Sequence, residues 1–480
     1  MLTGTPWVTR RALASQLPQE LRDALVWDDV AALVSRHRAT SGHRLELVEA
    51  YLSRIERLNQ IFNAYVTVTA ERARDAARRA DAIAGPASFR PELDGVVIAH
   101  KDLIETAGIR TTAGSRLFEH YVPTRDAAIV RKLTEAGAIM LGKTNTHELG
   151  GGVTTINPFF GTTRNPWDRR HIAGGSSGGS AVAVVAGLAA AATGSDTGGS
   201  VRIPASFCGC IGFKPTFGRV SRAGLLGASP TFDHIGVLAR SVPDAHLLYR
   251  ASVGYDAADP ATIQTPYHDV LSPPSSMSRQ FRVGVARNYF FDNLAPDVAR
   301  AIDEAIEVFR VGKVEVRDIK FPIDAKTMSR VFDPIVVAEI HERYGGDWKQ
   351  RPQLFSKSFG GFFQSRVPSG LELAAAHRAL LGFQQSVRKL FDEVEVILTP
   401  TVPVTAPRIA GPINGALILR NTWPFNAART PAMSLPCGFD AAGMPIGLQL
   451  VAAPFYEDML FRAAFTFHQL SRWSFKPPVL

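Results

Sequence analysis

The chain has 480 residues, of which 46% are hydrophobic, and its formal net charge is +9. This hydrophobic content allows a large buried core, and three cysteines are too few for a disulfide framework. The arginines are dispersed among acidic residues, as in Glu71 to Arg79, which is typical of solvated helix faces. We therefore expect a cytoplasmic protein with reduced thiols and no nucleic-acid partner.

The N-terminal region is predicted to be helical. Apolar residues recur at three- and four-residue steps from Leu45 to Leu58, as on one face of an amphipathic helix. Arg10 and Arg11 resemble the start of a twin-arginine signal, but no apolar segment follows them. The longest apolar run, 181–192, has twelve residues, whereas a spanning helix needs about twenty. We therefore predict a buried helix at 181–192 and no membrane partner.

Short β-branched runs alternate with helical segments along the rest of the chain. A turn at 93–95 precedes a candidate strand at 96–99, and a helical segment from Ala127 to Ala136 precedes another at 138–142. Further candidate strands lie at 282–286, 314–316, 394–398 and 446–451. This alternation predicts an α/β fold with a mainly parallel sheet. Residues 259–278, rich in Pro, Ser, Thr and Asp, are predicted to form a surface excursion.

Two glycine- and serine-rich clusters, Gly174 to Ser180 and Gly198 to Ser200, flank the apolar run. An ordered glycine lowers the stability of the fold by about 0.5–1 kcal/mol relative to alanine, so such clusters are unfavourable in a packed core. Glycines without Cβ atoms allow consecutive N–H groups to point at one spot, as in an oxyanion hole. The hydroxyl of Ser200 beside such donors could attack a carbonyl if a base took its proton.

The residues alone leave the identity of this base open. None of the histidines, among them His100, His147, His171 and His234, lies in a pattern that fixes its role. Lys101 ends an apolar strand at a carboxyl edge, where the sites of α/β proteins gather. Desolvation there would lower its pKa and make it a neutral base. A snorkelling or ion-paired lysine is the other interpretation.

The order of these motifs resembles the amidase signature family. The matching segments are 97–103, 161–168, 174–180, 194–205, 212–216 and 434–438. The resemblance covers nearly the whole chain and implies a single α/β/α sandwich domain with a central mixed sheet covered by helices. It predicts one domain over 1–480, with a helical part at 1–80, a signature core at 95–245, a surface excursion at 255–280, and the rest of the sheet and pocket segments at 281–480.

The resemblance also implies the catalytic residues. The family's serine nucleophile, its serine in a cis peptide and its lysine fall on Ser200, Ser176 and Lys101. The implied oxyanion hole consists of the backbone N–H groups of Thr197, Gly198, Gly199 and Ser200, and the positions that buttress it are Ser177, Asp196 and Arg202. The implied enzyme is an amidase that hydrolyses linear amides through a serine acyl-enzyme, with no cofactor and no metal.

Three motifs in the chain point outside this family, but each is incomplete or lies in the wrong structural context. Residues 175–179 satisfy G-x-S-x-G, which would make Ser177 a nucleophile, but the preceding segment is loop-like rather than a strand. Asp196 to Gly198 resembles an aspartic protease motif without the second copy that such a protease needs. A non-catalytic phosphate- or nucleotide-binding protein would use the glycine-rich loop before the helix, but the Gly-Lys-Ser/Thr ending of a P-loop is missing there.

Within the family, the alternative is the glutaminase subunit of a tRNA-dependent amidotransferase. That subunit commonly carries glutamine at the place of Ile203 and an acidic residue near Leu419, and this chain has neither. We therefore favour a stand-alone amidase.

The expected substrate is a small, neutral, partly apolar amide, with an aryl amide, urea or carbamate as possibilities and an acid plus an amine or ammonia as products. No charged residue is obviously placed to bind a charged substrate, and a homodimer is left open. Apolar aromatic rings can stack on an acyl group, although core packing is the other interpretation for them. The predicted pocket residues are Leu149, Gly150, Gly151, Gly152, Trp423 and Phe425.

Overall fold

A computed structural model of the chain describes residues 26–39, 43–82, 91–264, 281–324 and 326–480. Strands and helices alternate along these ranges, and we number them in chain order. The strands are β1 (Tyr65–Val68), β2 (Val97–Lys101), β3 (Ile139–Thr144), β4 (Ile156–Asn157), β5 (Gly161–Thr162), β6 (Ala191–Asp196), β7 (Ile211–Lys214), β8 (His234–Ala239), β9 (Arg282–Ala286), β10 (Glu315–Ile319), β11 (Val396–Pro400), β12 (Ala432–Phe439) and β13 (Pro445–Ala452). The helices are α1 (Val30–Ala39), α2 (Arg44–Phe62), α3 (Ala70–Ala82), α4 (Ala128–Glu135), α5 (Gly178–Val185), α6 (Arg202–Cys208), α7 (Val242–Ser252), α8 (Pro296–Val311), α9 (Thr327–Val331), α10 (Asp333–Gln350), α11 (Lys357–Gln364), α12 (Gly370–Leu390), α13 (Gly415–Leu419), α14 (Trp423–Ala427) and α15 (Glu457–Ser471).

Eleven strands of the described chain form one mixed sheet in the order β1-β3-β2-β6-β8-β7-β12-β13-β11-β9-β10, and β4 pairs with β5 separately. Helices cover the sheet, which confirms the predicted α/β fold with a central mixed sheet. The simpler expectation of a mainly parallel sheet was wrong. β2 is parallel to β3 and β6, and β9 is parallel to β10 and β11, but the pairs from β6 across to β11 are antiparallel.

The strand ends that carry the motifs lie along one edge of this sheet. β2 ends at Lys101 and its parallel neighbour β6 ends at Asp196. β8 begins at His234, directly opposite Asp196, and β7 ends at Lys214 opposite Ala432, where β12 begins. These five ends lie along the same side of the sheet, which we call the site edge.

The alanine-rich run was predicted to be a helix over 181–192, and this was wrong in its second half. The helix, α5, ends at Val185, and β6 begins at Ala191. Gly187 follows the helix with a φ of +67°, a left-handed conformation that glycine adopts freely and that commonly ends helices. The second alanine cluster therefore enters the sheet at the start of β6, which lies between β2 and β8.

The amphipathic pattern from Leu45 to Leu58 corresponds to α2, whose buried face includes Leu47, Val48 and Leu58. Arg10 and Arg11 lie outside the described residues, as do residues 265–280 of the predicted surface excursion. No helix in the described ranges combines the length and the apolar character needed to cross a membrane.

Candidate active site

Lys101 lies at the centre of the polar residues on the site edge. Its side chain is fully buried, and Nζ lies 2.7 Å from Ser176 Oγ and 2.8 Å from Ser195 Oγ. Burial lowers the pKa of Lys101 to about 7, against a smaller opposite effect of the negative charges of Asp196 and Asp233. A lysine with this pKa is largely neutral in mildly alkaline solution, so its nitrogen can accept a proton from a neighbouring hydroxyl.

The Ser176 loop is held in place by hydrogen bonds to its backbone. The Gly175–Ser176 peptide bond is cis. The Ser176 carbonyl accepts hydrogen bonds from the His147 N–H at 3.1 Å and from the hydroxyls of Thr146 and Thr155 at 3.0 and 3.3 Å. These contacts fix the position of the Ser176 hydroxyl beside Lys101.

Ser200 lies in the turn that follows β6 and is 5% exposed. Its carbonyl accepts a hydrogen bond of 3.1 Å from the Ser177 N–H, so the two glycine- and serine-rich loops are joined directly. The Gly198 carbonyl is bound by the Thr422 hydroxyl at 2.6 Å. In the described part of the chain, the backbone N–H groups of residues 197–200 have no protein acceptor, and such free donors suit a developing oxyanion.

Glycine is required within this turn. Gly199 has a φ of +138°, and a Cβ atom there would lie 2.1 Å from Thr422 Oγ1. A side chain at this position would therefore displace Thr422 from the Gly198 carbonyl, and the orientation of the adjacent N–H groups would change with it.

A buried ion pair supports the turn from below. Asp196 and Arg202 are both fully buried, and the carboxylate accepts hydrogen bonds from Arg202 Nη2 at 2.9 Å and from the Val201 N–H at 3.1 Å. Burial favours a higher pKa for Asp196, but the charge and hydrogen bonds of Arg202 outweigh it, so the pKa falls below its usual value. Arg202 also binds Gln449, Asn426 and the Thr422 carbonyl. The turn is thereby tied to β13 and α14.

Replacing Arg202 by methionine is expected to lower the free energy of unfolding by about 3–5 kcal/mol, because it leaves the Asp196 carboxylate buried without its partner. Urea denaturation followed by circular dichroism measures this change. The control is Arg300→Met, which removes an exposed arginine paired with Asp297 and Glu304 and should change stability little. Equal stability losses in the two variants would contradict a buttressing role for Arg202.

The predicted glycine segment lies beside Ser176. A Cβ atom at Gly150 would be 3.7 Å from Ser176 Oγ, while Cβ atoms at Gly151 and Gly152 would collide with Phe359 and His147, respectively. Leu149 is fully buried with a φ of +49°. Among the three glycines, Gly150 is thus the one at which a Cβ atom would contact the Ser176 hydroxyl.

The two predicted aromatic pocket residues are fully buried. Phe425 packs with Phe290 and Phe321, with ring centroids 5.5 Å away in each case. Trp423 lies 5.5 Å from Phe332, and its indole N–H donates to the Tyr289 hydroxyl. Because both residues belong to the short helix α14, which packs into the core, neither ring is exposed.

Other side chains lie closer to the turn. A Cβ atom at Gly198 would be 2.8 Å from Leu419 and 3.3 Å from Phe332, and one at Gly199 would be 2.8 Å from Ile203. Apart from Thr422, the side chains nearest to these two glycines are therefore apolar. Phe332 gave no sequence signal, because only the fold brings the start of α10 to this turn.

Two further polar residues near Lys101 were not assigned from sequence. Ser195 belongs to the motif 194–205, but its contact with Lys101 depends on the register of β6 against β2. His147 is 7% exposed, and burial, with a smaller effect of the Lys101 charge, lowers its pKa to about 4. Its Nδ1 lies 3.1 Å from the Thr154 hydroxyl. A neutral imidazole is therefore expected at neutral pH.

The described residues contain no group of three or more His, Cys, Asp or Glu side chains that could hold a metal ion. The arrangement they do contain is a hydroxyl beside a lysine of lowered pKa, a second serine on a joined loop, and unpaired N–H donors. Such an arrangement is suited to nucleophilic attack on a carbonyl.

Comparison with known proteins gives consistent matches over most of the chain. The protein-family model described as Amidase matches residues 46–461. A relative from Geobacter sp. (strain M21), named as a subunit of glutamyl-tRNA(Gln) amidotransferase, is 38% identical over 461 residues, covering 90% of this chain and 95% of the relative. The solved structure of a protein of the same name from Thermotoga maritima has a TM-score of 0.74 at 30% identity and covers 95% of each chain. The structure of 6-aminohexanoate cyclic dimer hydrolase has a TM-score of 0.84 at 30% identity and covers 94% of this chain and 99% of that chain.

These matches overturn the expectation that no nucleic acid takes part. The expectation was wrong because it rested on the even spread of charge over this chain alone, whereas the relatives are named as subunits of an enzyme whose name includes glutamyl-tRNA(Gln). An even spread of arginines on one subunit does not exclude nucleic acid from the chemistry of an assembly.

Proposed function

The chain belongs to the amidase family, as its motifs predicted, and is a hydrolase of carbon–nitrogen bonds; from this premise we propose that Ser200 is its nucleophile. Ser176 and Lys101 are proposed to carry the proton. The observation that supports this most strongly is the distance of 2.7 Å between Ser176 Oγ and the nitrogen of a fully buried lysine. A buried lysine with a pKa of about 7 has the basicity that such a relay needs.

In the proposed acylation step, Ser200 Oγ attacks the amide carbonyl carbon. Its proton passes to Ser176 Oγ as the Ser176 proton passes to Lys101 Nζ. The N–H groups of residues 197–200 are proposed to bind the oxyanion, and each such donor can be worth about 2.7–4 kcal/mol. The carbon–nitrogen bond then breaks, and the relay runs backwards to protonate the leaving nitrogen.

In the proposed deacylation step, water replaces the amine. Neutral Lys101 again accepts a proton through Ser176, this time from the water that attacks the Ser200 ester. Collapse of the second oxyanion releases the acid and returns the proton to Ser200. Ser195, whose hydroxyl lies 2.8 Å from Lys101 Nζ, is proposed to orient the lysine nitrogen between these steps.

Two substrate classes fit this chemistry, and the relatives support the first. Proteins 36% to 38% identical to this chain are named as subunits of glutamyl-tRNA(Gln) amidotransferase. On that basis the chain would hydrolyse glutamine and release ammonia for use by a partner protein. The comparisons support this candidate more directly than they support a stand-alone amidase.

The side chains around the turn support the second class, a small neutral amide. Leu419, Phe332, Ile203 and the hydroxyl-bearing Thr422 are the neighbours of Gly198 and Gly199, and none of them carries a charge that could pair with the ammonium or carboxylate of glutamine. An apolar amide would bury its acyl or aryl group against these side chains.

The substrate classes are separated by comparing kcat/KM for L-glutamine with that for neutral aryl and aliphatic amides, using released ammonia or amine as the readout. A higher value for glutamine would support the amidotransferase candidate, and a higher value for the neutral amides would support the second. The same assays on Ser200→Ala should show almost no turnover with either substrate class.

Leu419→Asp tests the apolar contact itself. If a neutral amide packs against Leu419, this variant should lower kcat/KM for that amide by about tenfold or more, since an apolar contact of this size is worth roughly 1–3 kcal/mol. Leu417→Asp on the same helix is the control and should leave the value nearly unchanged. Equal values for the wild type and Leu419→Asp would remove Leu419 from the proposed pocket.

A further inference from the structure

Two arginines lie against the ring of Phe217, three residues after the end of β7, and a third acts on one of them. The guanidinium carbon of Arg429 lies 4.3 Å from the centroid of the Phe217 ring, and that of Arg222 lies 4.6 Å from it. Arg388, in the last turn of α12, adds a third positive charge that acts on Arg429. We call Arg222, Arg388 and Arg429 the arginine cluster.

Arg429 has no anionic partner among the described residues, although its guanidinium lies over the Phe217 ring. Within the described residues its guanidinium forms no ion pair and no hydrogen bond, and the side chain is half-buried with Nε inaccessible to solvent. Burial, and then the positive charges of Arg222 and Arg388, lower the pKa of Arg429. The Nε–H donor of Arg429 is thus buried without an acceptor, which is unfavourable.

Of the other two arginines in the cluster, one has a carboxylate partner and one has none. Arg222 is already matched by Asp259, which accepts from Nη2 at 2.9 Å and from Nε at 3.1 Å. Arg388 is exposed and has no ion pair in the described part of the chain. The cluster therefore holds two positive charges more than its nearby carboxylate can offset.

The backbone at Arg429 also distinguishes this position. Its φ is +60°, in the left-handed region that a bulky residue enters at a cost and glycine enters freely. A positive φ does not favour arginine over other residues. The reason for an arginine at this position therefore lies in the contacts of its guanidinium.

We propose that the arginine cluster is a binding site for an oxyanion, a phosphate or carboxylate group that the guanidinium of Arg429 binds while Arg388 adds positive charge. Arginine suits both groups, because its paired N–H donors match two oxygens at once. The site lies where β7 ends at Lys214 and β12 begins at Ala432. A ligand there would lie at the same sheet edge as Ser200.

The proposal is tested by titrating the purified chain with inorganic phosphate and, separately, with acetate, using isothermal titration calorimetry at low and at physiological salt. Arg429→Gly removes the guanidinium and places at φ +60° the residue that best tolerates it. Arg472→Gly is the matched control, because Arg472 also has a positive φ, +51°, and is exposed. Thermal melting of each variant reports whether it is folded.

We expect the wild type and Arg472→Gly to bind at least one of the two anions with equal affinity. Arg429→Gly should bind it at least tenfold more weakly, and Arg388→Gln should also weaken binding. The preferred anion identifies the ligand group as phosphate or carboxylate. Binding that is unchanged in folded Arg429→Gly would place the anion elsewhere, for example at the N–H groups of residues 197–200, and would overturn the proposal. The absence of binding of either anion at low salt would also overturn it.

Discussion

Replacing Ser200 by alanine is expected to lower kcat by between about 10⁴- and 10⁶-fold, because loss of a serine nucleophile removes the covalent route altogether. The fold should persist, since the contact of Ser200 with the neighbouring loop is made by its carbonyl and not by its hydroxyl. Steady-state kinetics of the purified variant measure the loss. Labelling with a fluorophosphonate followed by peptide mass spectrometry should give one adduct on Ser200 in the wild type and none in the variant.

Ser177→Ala is the informative control for this experiment. Ser177 would be the nucleophile if residues 175–179 formed the G-x-S-x-G elbow of another hydrolase fold. Its hydroxyl donates instead to the Ser195 carbonyl at 3.1 Å, so we expect Ser177→Ala to retain the adduct and to lose far less activity than Ser200→Ala. An adduct on Ser177, or full activity in folded Ser200→Ala, would contradict the proposed mechanism.

Lys101→Met is expected to reduce kcat/KM by a comparable factor and to abolish the pH dependence of what remains. Burial disfavours the charged lysine and lowers its pKa to about 7, so the lysine is protonated, and inactive as a base, below that pH. The wild-type kcat/KM should therefore fall about tenfold per pH unit below pH 7 and level off above about pH 8. Rates measured from pH 5 to 10 give the profile.

The control for the lysine is Lys132→Met, which removes an amine bound to the Val253 carbonyl, outside the proposed site. This variant should keep both the rate and the profile of the wild type. A wild-type rate that is constant from pH 5 to 9 with bond cleavage limiting, or one that falls as the pH rises through 7, would exclude neutral Lys101 as the base.

Residue patterns predicted β2, β3, β9, β10, β11 and β13 but missed the other strands of the described ranges. The candidate strands at 282–286 and 446–451 correspond to β9 and β13, because their β-branched or alternating residues are bounded by polar turns. The strand β6 was missed, since alanine favours helices and only its position between β2 and β8 decides the conformation. Gly187 was the available signal that the helix ends before this strand.

The residues of the candidate site could likewise be predicted from the sequence only in part. The clusters around Ser176 and Ser200 could be identified because glycine and serine repeat at short spacing. Phe332, Asn426 and Gln449 could not, because their contacts with the turn after β6 join residues more than 100 positions apart. The pocket role suggested for Trp423 followed from ring chemistry alone, and the packing of α14 decides its burial.

The distribution of these residues along the chain bears on how such proteins diverge. The groups proposed to exchange protons and to hold the oxyanion all come from residues 101–200, whereas the neighbours Phe332 and Leu419 come from a later part of the chain. Substitutions in that later part can alter which molecule is accepted while the proton relay stays intact. New specificities can therefore arise in this fold by change in one half of the sequence, with the reaction chemistry inherited unchanged in the other.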